Sequence, residues 1–218
     1  MNFIEWIGKK LECFSEWQVQ KVMDKAEALK LIPDQRAYII GKYNAEVVFF
    51  NLYKILLIMI LSFILGIQDY FFILLFAFIL TQTFSHGLHF DNDLFCLLFS
   101  LFEYFAGMYL SIYLGRLIGR YQPSFLLPAS IASGVFVLCF VLFLFYAPAP
   151  TRKRPIKPKE KKRKKKYSLI GLSVSYLISV TMFLIDKPQY AVLFMWAMLL
   201  QTICILPITF KVFKLEQK

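Results

Sequence analysis

The feature that most limits what this chain can become is a series of long apolar stretches parted by short polar breaks. They run from Val47 to Ile67, Tyr70 to Thr83, Leu94 to Leu114, Phe125 to Tyr146, Ser168 to Ile185 and Tyr190 to Phe210. A helix needs about 20 apolar residues to cross the hydrocarbon core of a bilayer. Within lipid every backbone polar group must bond inside its own element, which selects helices. The second stretch is short, and becomes adequate if it runs on through Phe84 towards His89. Hydrophobic residues make up 59% of the 218 positions, with 24 Phe, more apolar surface than a soluble domain can hide. The expected fold is all-α: a polytopic membrane protein of six transmembrane helices behind an N-terminal amphipathic surface helix. Residues 1–43 are expected to form the interfacial region. Residues 44–218 are expected to form the six-helix domain, with a basic cytoplasmic loop at 152–166.

Charge sets the expected topology. The formal net charge is +11, and the basic excess concentrates between Arg152 and Lys166, where Glu160 is the one acid. A basic run flanked by hydrophobic segments is not a nucleic-acid signal. It reads as a cytoplasmic anchor to anionic lipid or to an acidic partner. Lys161, Lys162, Arg163, Lys164, Lys165 and Lys166 are the candidates for gripping an acidic peptide tail. If this run and the charged N-terminal region are both cytoplasmic, an even number of crossings separates them, and four segments are available. Lys211, Lys214 and Lys218 then fall inside, as does the turn between His89 and Cys96. Arg116 and Arg120 fall outside, against the rule, and would have to snorkel to the interface or sit on a bent end.

From Met1 to Leu31 acids and bases are mixed throughout, with no compact apolar core of the kind a signal peptide carries. Ile4, Ile7, Leu11, Phe14, Val22, Ala26 and Leu29 recur at helical spacing, and Trp6 and Trp17 suit a headgroup depth. This predicts a helix lying on the membrane, or an amphipathic helix packed on the spans. Pro33-Asp34 ends it, and the next helix is expected near Gln35. The cysteines form no disulfide framework: Cys139 and Cys204 lie within apolar stretches and Cys13 on the surface helix. Glu103 sits inside the third stretch, where an acid lines a path or bonds a neighbouring helix. Gly107, Gly115 and Gly119 permit close helix packing.

The polar break from Thr81 to Ser100 holds both histidines, His86 and His89, together with Cys96 and the triplet Asp91-Asn92-Asp93. The triplet supplies N-cap residues for a helix beginning near Leu94, with Cys96 in its first turn. Helix N-terminal amides carry partial positive charge, which favours a thiolate. On one continuous helix His89 and Cys96 would stand roughly 10 Å apart, too far for a hydrogen bond. The break lets the chain fold back and bring them together as a nucleophile and its base. Asp91 or Asp93 could orient the imidazole. The plainer reading is a small core cysteine beside interfacial histidines. A zinc site built from His86, His89 and Cys96 or Asp91 is a further alternative, although the spacing matches no tight ligand motif.

Gly87-Leu88-His89 followed by Cys96, Tyr146 to Thr151 leading into a basic run, and Pro207 to Lys211 together resemble the AgrB family. These are membrane cysteine endopeptidases that mature quorum-sensing pheromone precursors. The three places match the family's glycine-x-histidine with a cysteine seven residues on, its alanine-proline-alanine exit, and its C-terminal proline-x-threonine-aromatic-lysine. Phe90, Asp91 and Asp93 stand where members commonly carry alanine and small or basic residues, which bears on how a precursor is gripped.

The resemblance implies His89 as base and Cys96 as nucleophile, with no cofactor and no metal. Backbone amides of the Leu94 helix, with Gln82, would face the oxyanion. The implied partners are an AgrD-like precursor peptide, membrane lipid and a second copy of the chain. The implied location is the bacterial cell membrane, with the site on the cytoplasmic side. A peptide exporter or membrane scaffold is the competing class. It would need polar residues along several spans, where Glu103 and a few hydroxyl residues stand.

Overall fold

The computed structural model describes residues 16–17, 19–25, 35–88, 93–121, 126–150, 156 and 158–213. A first helical stretch, α1, includes 19–25. It is followed by α2 (Gln35–Ile64), α3 (Gln68–Ser85), α4 (Asp93–Tyr121), α5 (Leu126–Tyr146), α6 (Pro158–Leu184), α7 (Pro188–Ile205) and α8 (Pro207–Val212). Among the described residues there is no strand, only an isolated bridge between His86 and Ala149.

Local chemistry sets the helix ends. A turn at Leu65-Gly66 follows α2, with Gly66 at φ 68°. After α3 the chain passes through His86 at φ 58° and Gly87 at φ 128°. Pro188 opens α7, where its missing N–H costs nothing. Leu206 is extended at ψ 137° because Pro207 disfavours a helical residue before it, so the last apolar stretch divides into α7 and α8.

Five described helices are long and apolar enough to cross a membrane: Gln68–Ser85, Leu94–Arg120, Leu126–Tyr146, Lys159–Leu184 and Pro188–Ile205. The sixth expected span, Val47 to Ile67, is represented by a shorter apolar helix, Val48–Ile64, ended by the Gly66 turn. The span expected to start at Ser168 begins earlier: α6 starts at Pro158, so Lys159 to Lys166 are helical rather than loop. Lys and Arg are good helix formers, and nothing between Pro158 and the apolar stretch breaks the pattern.

The chain divides into two compact units, Met1–Ile64 with Asp91–Ser100, and Leu65–Phe90 with Leu101–Lys218. In the first unit α1 packs on the opening turns of α2. Val19 and Met23 are buried, and the Met23 side chain lies against Gly41. Gln20 bonds both Asp24 and the Tyr38 hydroxyl, at 2.7 and 2.9 Å. Of the expected apolar stripe only Val22 is described, and it is exposed, so Val19 and Met23 carry the packing.

In the second unit α7 is the central helix, packed with α3, α5 and α6. Helices α3 and α7 run parallel: the Tyr70 and Tyr190 rings meet at a tilt near their starts, and Ser85 and Gln201 bond near their ends. Residues Leu101–Tyr121 of α4 run antiparallel to α7, because Gly107 lies against Trp196 and Gly115 against Gln189. At Gly171 the Leu80 carbonyl occupies the space a Cβ would need, so α6 and α3 touch through backbone. The interior holds Thr81, Ser85, Ser175, Ser179, Gln201 and Thr202, while Phe145, Phe102 and Leu177 are exposed. Phe71, Leu74, Phe143, Leu172 and Leu193 are buried beside these polar residues, so large apolar side chains lie both inside and outside, as they can where lipid rather than water surrounds the helices.

Candidate functional site

Asp93 is the first residue of α4, which puts Cys96 in the opening turn of that helix. Cys96 is buried, 7% exposed. Its backbone carbonyl accepts from Ser100 Oγ at 2.9 Å. Its sulfur accepts from Lys54 Nζ of α2 at 3.4 Å. The same ammonium stands 5.1 Å from the centroid of the Phe50 ring. Lys54 lies within the apolar Val48–Ile64 helix, where an ionisable group is expensive and is expected to have a defined partner.

In the second unit the end of α3 is held by a web of hydrogen bonds. Ser85 Oγ donates to Thr81 O at 2.6 Å and accepts from Gln201 Nε2 at 2.7 Å. Gln201 Nε2 also donates to the His86 carbonyl. Leu88 N donates to Cys204 O at 3.2 Å, and Ala149 N to Ser85 O at 3.0 Å. Gly87 is required here. A Cβ would meet Gln201 Nε2 at 3.1 Å and Cys204 O at 3.3 Å, on a backbone at φ 128° that L residues rarely adopt. Ala147, Ala149, Ile205 and Phe210 share one buried cluster, with Leu88 packed against it. The segment around Gly87-Leu88, the Ala147-Pro148-Ala149 exit and the Pro207 to Phe210 helix therefore meet at one end of this unit.

A family model for accessory gene regulator B matches residues 17–205. The chain belongs to the accessory gene regulator B family. Accessory gene regulator protein B of Staphylococcus intermedius is 32% identical over 77% of this chain and 81% of its own length. Protein FsrB of Enterococcus faecalis is 30% identical over 77% of this chain and 64% of its own length. The Staphylococcus saprophyticus accessory gene regulator protein B is 26% identical over 87% of this chain and 89% of its own. No solved structure matches the chain. Membership of the accessory gene regulator B family supports a role in that quorum-sensing system, and the five long apolar helices support a multi-pass membrane protein.

Of the segments that carried the resemblance to this family, Gly87-Leu88, Ala147 to Ala149 and Pro207 to Phe210 are joined at the end of the second unit, whereas Cys96 belongs to the first. The expected site residues fall unevenly over the structure. His89 and Asp91 lie outside the described residues, and Asp93 is described only as the start of α4. Gln82 is exposed on α3. His86 Nε2 stands 3.1 Å from Lys164 Nζ, and Lys164 also pairs with Glu160 at 3.7 Å. Lys161, Lys162, Arg163 and Lys166 are exposed, with Lys165 half-buried. Lys162, Lys165 and Lys166 head an open groove of about 490 Å³ that continues along Leu169, Ser173 and Leu177. Glu103 accepts from Cys204 Sγ at 3.8 Å, and its carbonyl accepts from Trp196 Nε1 at 3.1 Å. These contacts favour the helix-linking role over a place on a substrate path.

Sequence reasoning missed Lys54 and Gln201. Lys54 carried the same signal that singled out Glu103, a charge inside an apolar stretch. Gln201 carried a weaker one, a lone amide in the last apolar stretch, and it is 1% exposed.

Proposed function

We propose that this chain is an integral-membrane cysteine endopeptidase that cleaves the C-terminal tail from a quorum-sensing pheromone precursor. Through a thioester on Cys96 it would also promote cyclisation of the core peptide. The observation that carries this reading is a buried cysteine in the first turn of α4 with an ammonium against its sulfur, in a chain of the accessory gene regulator B family. The substrate is an AgrD-like peptide with an amphipathic leader and a charged tail. His89 takes the Cys96 proton, and the thiolate attacks the carbonyl carbon of the bond before the tail. Amides at the start of α4, with Gln82, receive the oxyanion. The carbon–nitrogen bond breaks, and the tail's new amine leaves with the proton held by His89. The core stays on Cys96 as a thioester, which keeps the acyl group activated. A Cys or Ser of the precursor then attacks it, closing a thiolactone or lactone and freeing the Cys96 thiol.

In this reading α2 is the first of six spans, an amphipathic helix within residues 1–43 lies on the membrane, and the site opens to the cytoplasm. The segments at 85–88 and 147–149 are separated by two helices, α4 and α5, an even number. The chain acts as a homodimer among anionic lipids, and Lys161 to Lys166 hold the precursor's acidic tail. Leader and peptidase share one membrane interface, which raises their effective concentration.

The test is the acyl-enzyme. Precursor incubated with intact protein should give a covalent adduct that hydroxylamine cleaves, absent from Cys96→Ala and greatly reduced in His89→Ala. Normal tail release by Cys96→Ala would return the chain to the exporter or scaffold class. Labelling of single cysteines at positions 92 and 164 should report the same, cytoplasmic, side.

A further inference from the structure

A lysine in an apolar helix is costly unless its charge has work to do or a short route to water. Lys54 sits in the Val48–Ile64 part of α2, half-buried, and its polar contact among the described residues is the Cys96 sulfur at 3.4 Å. The two residues are 42 positions apart in sequence. Their meeting is therefore a product of the fold of the first unit rather than of local helix geometry. The Phe50 ring face covers the ammonium 5.1 Å away, an arrangement that holds a cation without neutralising it. Nothing in this contact is needed to build the helix pair: a Met or Leu would fill the same volume without the desolvation cost.

We propose that Lys54 is a further catalytic residue, the cationic partner of the Cys96 sulfur. The proposal rests on the reading of Cys96 as nucleophile and adds a residue to it. The imidazolium formed when His89 takes the thiol proton is itself a counter-charge to the sulfur, but it is lost when that proton passes to the leaving amine, whereas a fixed cation at the sulfur is present throughout. Lys54 supplies that charge and keeps its own proton throughout. The proton on sulfur goes to His89. The electron pair left on sulfur forms the bond to the carbonyl carbon, and the negative charge moves to the carbonyl oxygen. The ammonium then stands beside the acyl-sulfur. Because it stays protonated it has no lone pair with which to attack the thioester, so the acyl group survives until the precursor's own nucleophile arrives.

The charge-partner role differs from a general-base role in one respect. Arginine preserves the charge but does not deprotonate, so it can replace a counter-ion and not a base. The experiment uses the full chain in membranes, with Cys13, Cys139 and Cys204 changed to Ala so that Cys96 is the single thiol. Lys54→Met and Lys54→Arg are made in this background. The first readout needs no substrate: the rates at which Cys96 reacts with anionic iodoacetate and neutral iodoacetamide at neutral pH. A cation at the sulfur draws the anionic reagent, so Lys54→Met should lower the iodoacetate-to-iodoacetamide ratio about threefold or more, and low salt should enlarge the difference. Lys54→Arg should keep the ratio.

The second readout is precursor cleavage. Lys54→Met should lower kcat about ten- to a hundredfold, the loss of one charge-assisted contact, with KM little changed, and Lys54→Arg should recover most of it. An unchanged reagent ratio in Lys54→Met overturns the proposal. So does an Arg variant as slow as the Met variant, which would make Lys54 a base. If the ratio moves as expected while the wild type never cleaves precursor, the charge pair stands and the peptidase reading falls.

Discussion

Cys96 and Cys204 are both buried thiols near helix ends, and they face opposite charges. Cys96, in the first turn of α4, has the Lys54 ammonium 3.4 Å from its sulfur. Cys204, at the end of α7, donates to the Glu103 carboxylate at 3.8 Å, a bond that only the protonated thiol can make. Around Cys204 the backbone is also engaged, because its carbonyl accepts from Leu88 N. One sulfur accepts from a lysine, whereas the other donates to a carboxylate and links α7 to α4. A cysteine's burial therefore says little about its chemistry, and the sign of the neighbouring charge says more.

The sharpest way to break this comparison is to delete each thiol in turn. Cys96→Ala should abolish release of the precursor tail, whereas Cys204→Ala should stay within about twofold of wild type, measured at equal membrane insertion. Loss of cleavage in Cys204→Ala alone would invert the assignment.

The segment beside Cys204 is expected to answer as structure. Gly87→Ala forces a Cβ onto a backbone at φ 128° and against Gln201 and Cys204. It should cost about 1–3 kcal/mol of stability, read as a lowered Tm in detergent. An unchanged Tm would mean that the α3 end reshapes freely. Gln201→Leu removes the donor to Ser85 Oγ and the His86 carbonyl, and leaves buried acceptors short of a partner. About 1–2 kcal/mol is expected, again as a Tm shift, with the Cys96 alkylation rate unaltered. The smallest effect is expected from Glu103→Gln. The amide oxygen still accepts from Cys204, so stability should move by about 0.5 kcal/mol and cleavage should persist. Complete loss of cleavage there would move Glu103 onto the substrate path.

Much of the architecture was legible because lipid imposes a simple rule on sequence. Apolar stretches of spanning length become helices whatever surrounds them, so the breaks at Asp91 to Asp93 and between Ile185 and Tyr190 could be read from composition alone, whereas the stretch expected to run to Ile67 ends at the Gly66 turn. The rule blurs where charge meets apolar sequence. The run ending at Lys166 reads as loop by charge, yet Lys and Arg extend a helix readily, and α6 begins at Pro158. The apolar stretch ending at Phe210 reads as one span, yet Pro207 divides it.

Cys96 and its place in the first turn of a helix follow from the order of residues, since an N-cap triplet and an apolar run lie side by side in the chain. The chain alone also gives Gly87, Leu88 and the Ala-Pro-Ala exit as motifs. What it does not give is the reason for them. Gly87 is glycine because Gln201 and the Cys204 carbonyl, more than a hundred positions later, occupy the space around it. Likewise Lys54 is one charge in an apolar stretch until the fold of the first unit sets it against Cys96. Hydrophobic length and helix capping are read from neighbours in sequence, whereas the charge beside a sulfur and the crowding around a glycine arise from residues distant in the chain, and only tertiary packing decides which of them meet.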